Sequence, residues 1–424
     1  MANDKKIKYK GEETKICKHC RRELSVSEFA LMYGRNYMNT CKECCAMKQK
    51  KTRNENDYKK GMELYLADDF MHIYRKYKKI NRSRTLKKNV SGIDFCARDE
   101  RFVKLLYYKE TWISNYRRVI VYEDGQYKLL RGSVDKWTGE VVYTLKKERY
   151  IKYTQTYNYK KVKVTGSSLV VETFIVNYDM TNNTRIWHLN NDVTDGYYKH
   201  LYPVTEKQYE RLTELQEESA DPLSEEVIMD VVNSVEYKQD GWNPYKYRRS
   251  MCSIGYYGCN DADSESISFK KWKNMMQRCY DKNVHKKYKP EYKDKTICEE
   301  WLNYANFRIW FDEHYVPGKW QIDLDKDLLV QGNKEYSPET CVFLEHYQNT
   351  MFEHNAKDMI YENEDGTFFI GKGRKKTYAT YEEAVDIICG RNKKRIENEI
   401  EKSLGKIPMC AHEAMLKWDV HAAV

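Results

Sequence analysis

Two short cysteine pairs constrain this chain more than any other feature. Cys17-x2-Cys20 and Cys41-x2-Cys44 stand with twenty residues between them. Each pair can form a tight knuckle whose backbone N–H groups face sulfur. Two such knuckles can place four thiolates around one tetrahedral Zn2+. Four cysteines leave no open coordination position, so the expected role is structural. Cys45 is a spare thiol that could replace Cys44. Behind the second knuckle stand Lys48, Lys50, Lys51 and Arg53. They read as a basic helix suited to phosphate contact, the alternative being a solvated charged face.

The rest of the composition sets broad limits. A chain of 424 residues is expected to hold two to four domains. Its 41% hydrophobic and 33% charged content suits a folded protein with small cores. A formal charge of +10 favours a polyanionic partner, because neutralised phosphates release counterions, although it serves solubility equally well. The 37 tyrosines can stack on bases, contact phosphate or fill cores. No apolar run approaches the roughly 20 residues of a membrane span, and no signal peptide is expected at the start. The 13 cysteines are therefore expected in a reducing, cytoplasmic setting, where metal binding is the better default than disulfides.

Composition also suggests boundaries. Residues 1–60 read as the zinc module with its basic helix, and 61–92 as a helical connector. That connector carries eight Lys or Arg and no acid between Arg75 and Lys88. Residues 93–213 look strand-rich, with turn signals at Asp124-Gly125, Thr138-Gly139 and Thr165-Gly166. Residues 214–240 read as an acidic linker, 241–355 as a mixed module rich in Trp and Tyr, and 356–424 as a small sheet, a helix and a tail.

Particular residues then carry a family resemblance. The run from Ser168 to Ile175, then Trp187-His188-Leu189-Asn190-Asn191-Asp192, then His200-Leu201 and Val204-Thr205, resembles phage HNH homing-type endonucleases. Trp112 to Leu130 weakly resembles the strand-forming module that often precedes HNH. The cysteine-rich segment, with Leu24 and Phe29 between the knuckles, resembles the zinc ribbons at the front of such proteins. The resemblance implies a β-hairpin followed by a helix, holding one divalent ion, with a histidine base that activates water. His188 falls on the base position. Trp187 and Tyr209 fall on the metal-ligand positions and cannot serve them, so this copy is expected to be structural or DNA-binding.

A second stretch resembles another phage family of HNH endonucleases and DNA-binding proteins. It runs from Trp272 to Tyr280 and from Cys298 to Phe307. It continues through Leu324-Asp325-Lys326-Asp327 and Gly332-Asn333, and then from Tyr336 to Phe343. The resemblance makes Asp325 and Asn349 the metal ligands and puts Lys326 at the base position. An ammonium cannot abstract a proton unless its pKa is strongly lowered. His314 and His346 could substitute. Alternatively, Asp325 and Asn349 merely hold hairpin and helix together. Cys279, Cys298 and Cys341 could join a histidine around zinc or be small core residues.

Towards the end, Asp365-Gly366 reads as a hairpin turn, and Thr380-x-x-Glu383 as a capping box opening a helix. Three strands and a helix here resemble the Apetala-type DNA-binding domain. The resemblance implies DNA contact through Lys372, Arg374, Lys375 and Lys376, the alternative being a solvated basic hairpin.

These readings lead to an α+β, multi-domain chain. It should comprise a zinc ribbon, two degenerate ββα-metal modules and a three-stranded sheet with one helix. The leading expectation is a phage DNA-binding protein that cleaves double-stranded DNA with Mg2+ or Mn2+, at Asp325 and Asn349. One alternative is a catalytically inactive DNA-binding regulator derived from such a nuclease. Another is a phage factor that binds a host protein.

Overall fold

The computed structural model describes residues 14–32, 36–68, 75–80, 82–87, 90–287, 292–352, 359–371 and 376–421. The chain is α+β, built from small, mainly antiparallel sheets and helices. It divides into two compact units. One comprises Met1–Asp69 with Asn243–Arg248, and the other Phe70–Trp242 with Arg249–Val424.

In the first unit, the hairpin Thr14–Ile16/Glu23–Ser25 precedes the hairpin Phe29–Met32/Asn36–Cys41. The chain then enters a single helix, Lys42–Leu66. Straight-chain Lys, Glu, Gln, Met and Leu side chains favour the helix across this length. A domain boundary at residue 60 therefore falls inside a helix, which corrects the expected division there. Near its end the helix meets the short 3-10 turn Pro244–Tyr247. A Cβ on Gly61 would lie 2.3 Å from the Tyr245 backbone nitrogen, so only glycine admits this approach. The Tyr65 and Tyr247 rings meet edge to face.

The second unit opens with a five-stranded antiparallel sheet in which Thr85–Leu86, Phe102–Lys104, Thr111–Ser114, Val119–Glu123 and Gln126–Leu130 are adjacent in chain order. A long hairpin follows, Val141–Ile151 against Thr156–Thr165, with Ser133–Val134 on its edge. The helix Gly166–Phe174 turns Leu169, Val170 and Phe174 onto Ile113, Val119, Leu145 and Leu201. Each fully buried side chain of this size contributes about 1.5–3 kcal/mol. Next comes a hairpin–helix unit, in which Arg185–His188 pairs with Leu201–Val204 and leads into Glu206–Glu218. Thr205 caps that helix, with Gln208 completing the capping box.

Residues 214–240 are not a linker. They complete the helix Glu206–Glu218 and form a second, Glu225–Asn233. Leu223, Ile228 and Val231 from this segment bury against Trp187, Tyr202, Val204 and Leu212. The acidic residues suggested solvation, and those within the helices do lie on the outer faces, while the apolar faces turn inward.

A second hairpin–helix unit lies further on: Ile322–Asp325 pairs with Val342–Glu345 and runs into His346–Phe352. Behind it lie the helices Ile267–Tyr280 and Tyr304–His314, packed through Trp272, Tyr304 and Phe269. The last sheet, Ile360–Glu362, Phe368–Ile370 and Thr377–Tyr378, backs onto the helix Tyr381–Ser403. Thr380 Oγ1 accepts from Glu383 N–H, while the Glu383 carboxylate takes Ala379 N–H, so the capping box closes one residue early. Ile396, Ile407, Ala411 and Met415 share a core with Leu328, Val342 and Leu344, so the C-terminal helices complete the second hairpin–helix unit.

Candidate metal centre and nucleic-acid interface

The four cysteines come together because the second hairpin ends at Cys41 and the helix begins one residue later. This places Cys44 one helical turn beyond Cys41. The Sγ atoms of Cys17, Cys20, Cys41 and Cys44 all lie within 4.8 Å of one another. They form the one group of three or more His, Cys, Asp or Glu side chains, among the described residues, that could hold a metal ion. The Cys41 N–H donates to Cys17 Sγ at 3.3 Å, the contact expected of a knuckle turn. Arg22 Nε donates to Cys20 Sγ at 3.4 Å. Burial raises the Cys17 thiol, but the Cys41, Cys20 and His19 backbone N–H groups outweigh it and bring it down to about 6. The Arg22 side chain lowers Cys20, while burial pushes Cys44 up to about 12. Cys45 turns away, its thiol facing Thr40 O at 3.7 Å, so Cys44 is the member of the group. Beyond it, Lys48, Lys50, Lys51 and Arg53 stand exposed on the helix, with Arg53 4.0 Å from Asp57.

In the first hairpin–helix unit His188 ends its strand with only 4% of its surface exposed. Nδ1 lies 3.0 Å from the Asp195 carbonyl oxygen, and Nε2 lies 3.0 Å from Glu140 Oε1. Both ring nitrogens thus face acceptors. Glu140 Oε2 also accepts from Ser167 Oγ at 2.9 Å. Arg117 stands 3.7 Å from that oxygen and donates to the carbonyls of Val193 and Thr194 at 2.6 Å each. Burial raises Glu140, but His188, Ser167 and Arg117 outweigh it and hold the carboxylate below its ordinary range. The ligand positions are apolar: Trp187 is buried and Tyr209 packs edge-on against it, 5.5 Å between centroids. No local signal in the sequence marks Glu140, Arg117 or Ser167, because they come from three separate elements.

In the second unit Asp325 ends its strand, buried. Its Oδ1 accepts from the N–H groups of Asp327 at 3.0 Å and Leu328 at 2.7 Å, shaping the turn. Burial pushes this carboxyl up to about 7. Lys326 is buried and paired with Asp327. Asn333 Nδ2 donates to Lys326 O and Glu335 O, giving the Gly332-Asn333 pair a structural role. Asn349 is buried on the following helix. His314 Nδ1 lies 2.7 Å from Trp310 O and its ring stacks on Trp310, while His346 Nδ1 lies 2.6 Å from Asp323 Oδ2. Cys279, Cys298 and Cys341 belong to no metal-holding group among the described residues. Cys279 and Cys341 are core thiols and Cys298 is half-buried, each raised by burial, Cys279 to about 12.

Other residues of the second stretch bind the segment that precedes the first hairpin–helix unit. Asn303 Nδ2 donates to Tyr178 O, Asn306 Nδ2 donates to Asn177 O, and Glu300 Oε1 accepts from Asn177 N–H. The basic connector is similarly engaged. Lys78 reaches Glu300 at 2.9 Å and Glu339 at 3.3 Å, and donates to Glu172 O at 2.6 Å. Arg75 pairs with Glu225 over the Tyr202 ring. Arg84 donates to Glu339 O and Lys104 O. Of the charges that read as a run in sequence, Arg75, Lys78 and Arg84 are internal fastenings here, while Lys79, Arg82 and Lys87 stand exposed.

At the C-terminal sheet Lys376 is exposed beside the Tyr378 ring, 5.4 Å from its centroid. Lys372, Arg374 and Lys375 lie outside the described residues. Among the described residues no helix is long and apolar enough to cross a membrane. No family model, no curated protein and no solved structure matches this chain.

Proposed function

We propose that this chain binds double-stranded DNA on a framework derived from phage HNH endonucleases, and that its first hairpin–helix unit no longer cuts. The observation that carries the reading is His188. It sits where the resemblance puts the base, at the end of a hairpin strand that leads into a helix. Yet its Nε2 faces Glu140, and the neighbouring ligand positions are filled by Trp187 and Tyr209. A carboxylate in that place blocks the attacking water and repels a phosphate. The four thiolates suit Zn2+, which takes sulfur ligands tetrahedrally and has no redox chemistry of its own. Its role here is to tie the knuckles together so that Lys48, Lys50, Lys51 and Arg53 face the DNA backbone from a fixed helix. Lys376, with Lys372, Arg374 and Lys375, is the second set of contacts.

The test is binding of the full chain to duplex DNA across a salt series. Replacing Lys48, Lys50, Lys51 and Arg53 with Ala should weaken binding. It should also flatten log K against log salt by about 0.9 for each phosphate that is no longer neutralised. An unchanged slope would remove this helix from the interface.

A second reading is metal-dependent nicking by the second unit. It rests on the resemblance, which puts the two ligand positions at Asp325, on the strand end, and Asn349, on the following helix. In that case Mg2+ or Mn2+ supports cleavage, Asp325→Ala abolishes it and His188→Ala leaves most of it. Tight binding without nicking in either ion excludes this reading and leaves the regulator.

A further inference from the structure

The edge pair Ser133–Val134/Val141–Val142 is closed by a turn over residues 135–140 that holds a tryptophan away from the protein. Trp137 is 96% exposed. The turn beneath it is firmly built. Asp135 Oδ1 accepts from the Trp137 N–H at 3.0 Å, the Thr138 N–H at 2.9 Å and the Thr138 hydroxyl at 3.1 Å. The backbones of Asp135, Gly139 and Glu140 close it with bonds of 2.8 and 2.9 Å. Gly139 has φ +72°, and a Cβ there would stand 3.0 Å from Val193, so the turn rests on the loop that runs out of His188. A fixed indole left wholly in water forgoes the stabilisation that burial of a large ring supplies. A rigid scaffold that displays it is better explained by a ligand than by the fold.

The surroundings say which ligand. Lys136 precedes Trp137 in the turn, and Lys163 lies near enough to Asp135 to act on it electrostatically. On the long hairpin Lys146 stands directly opposite Lys161, and Lys147 directly opposite Lys160. Like charges facing each other across a strand pair destabilise a sheet. Glu123 and Glu313 answer Lys146 and Lys147. Among the described residues Lys160, Lys161 and Lys163 have no carboxylate within ion-pair distance. Exposed cations that lack a close ion-pair partner, on a hairpin whose edge carries an exposed aromatic ring, match a nucleic acid, which offers phosphates and bases together. An apolar protein partner would match the indole but not the lysines.

We propose that Trp137 stacks on an unstacked base of bound DNA, with Lys163, and Lys161 two residues further along the same strand face, holding phosphates of the backbone that leads away from that base. This rests on the DNA-binding reading above. A base in intact duplex hides both faces, so the contact is made at a bulge, nick or kink. The probes are a labelled duplex with one unpaired nucleotide and the matched perfect duplex, each titrated with the full-length protein. Trp137→Ala should bind the bulged duplex roughly tenfold more weakly, with an unchanged salt slope, and the perfect duplex almost normally. Trp137→Phe should keep most of the affinity. Replacing Lys161 and Lys163 with Ala should weaken both DNAs and lower the slope by about 0.9 for each phosphate released. The exposed ring makes no described contact, so Trp137→Ala should melt with the wild type. If the wild type binds DNA and Trp137→Ala binds the bulged duplex equally tightly, the stacking contact is wrong while DNA binding stands. The stacking contact is equally wrong if Trp137→Phe loses as much as Trp137→Ala. If the wild type binds neither duplex at low salt, both readings fall.

Discussion

At His188 a buried imidazole faces a carboxylate, with Nε2 3.0 Å from Glu140 Oε1. Glu140 is held below its ordinary range, so it stabilises the fold above the unfolded carboxyl pKa, and that contribution is lost as pH falls through the folded one. Glu140→Gln should therefore cost about 2 kcal/mol in urea unfolding at pH 7. The difference from wild type should shrink below a pH of about 4. A constant difference at both pH values would show that charge is not the cause. Asp325 has the opposite sign. Its folded pKa is pushed up to about 7 from 3.8, so the folded state holds the proton longer than the unfolded state. Ionisation destabilises the fold as pH rises between those values, by up to about 4 kcal/mol. Asp325→Asn keeps an oxygen for the Asp327 and Leu328 N–H groups. It should flatten stability between pH 4 and 7 and leave the variant more stable than wild type at pH 8. An unaltered pH slope would mean that another group titrates there.

At the scale of elements, the helix Lys42–Leu66 begins beside Cys41, one of the four thiols that could hold a metal ion, and carries the exposed basic side chains. Its own amphipathic stripe is slight, with only Cys44, Gly61 and Tyr65 buried. Such a helix relies on attachment at its ends, because a polar helix contributes little packing energy. With a metal on the four thiols, binding and folding should be one equilibrium for this unit. Chelation should remove one zinc per chain and lower helical circular dichroism, and zinc should restore it. Cys20→Ser should lose both metal and helix signal in the same experiment. Full helicity in metal-free protein would contradict the coupling. The 206–218 and 225–233 helices behave differently, since their apolar faces bury on Trp187 and Tyr202 and need no metal.

At the scale of the molecule, the connector 75–86 runs among the elements of the second unit as a strap. The Lys78 ammonium joins Glu300 and Glu339 and the Glu172 carbonyl, so residues far apart in sequence share one buried cation. Removing one partner from a buried charge cluster leaves the others desolvated and unpaired, at a cost of about 3–5 kcal/mol. Lys78→Met should lower stability by that order in denaturant titration. Restoring neutrality with Glu300→Gln and Glu339→Gln in the same chain should recover part of the loss. The lysine is raised above its ordinary pKa, so its contribution persists through neutral pH and is lost only as pH rises through the folded value. No recovery in the triple variant would assign the loss to packing alone.

The sequence by itself determined what depends on near neighbours. The spacing of Cys17, Cys20, Cys41 and Cys44 specified their grouping, since a knuckle is a turn of four residues. Thr380-x-x-Glu383 marked a helix start, because a cap is satisfied within three residues. Glycine turns at Asp124-Gly125 and Asp365-Gly366 lie where φ must be positive. What the tertiary structure alone decided is where charge goes. The acidic stretch after residue 214 became helix surface, and Arg75, Lys78 and Arg84 became internal ties. Glu140 came from a distant turn to occupy the histidine. Charge in a sequence has no address: a lysine reads the same in solvent, on a phosphate or against a buried glutamate. Only the folded path of the chain brings it to one of them, where desolvation and Coulomb attraction then set what it does.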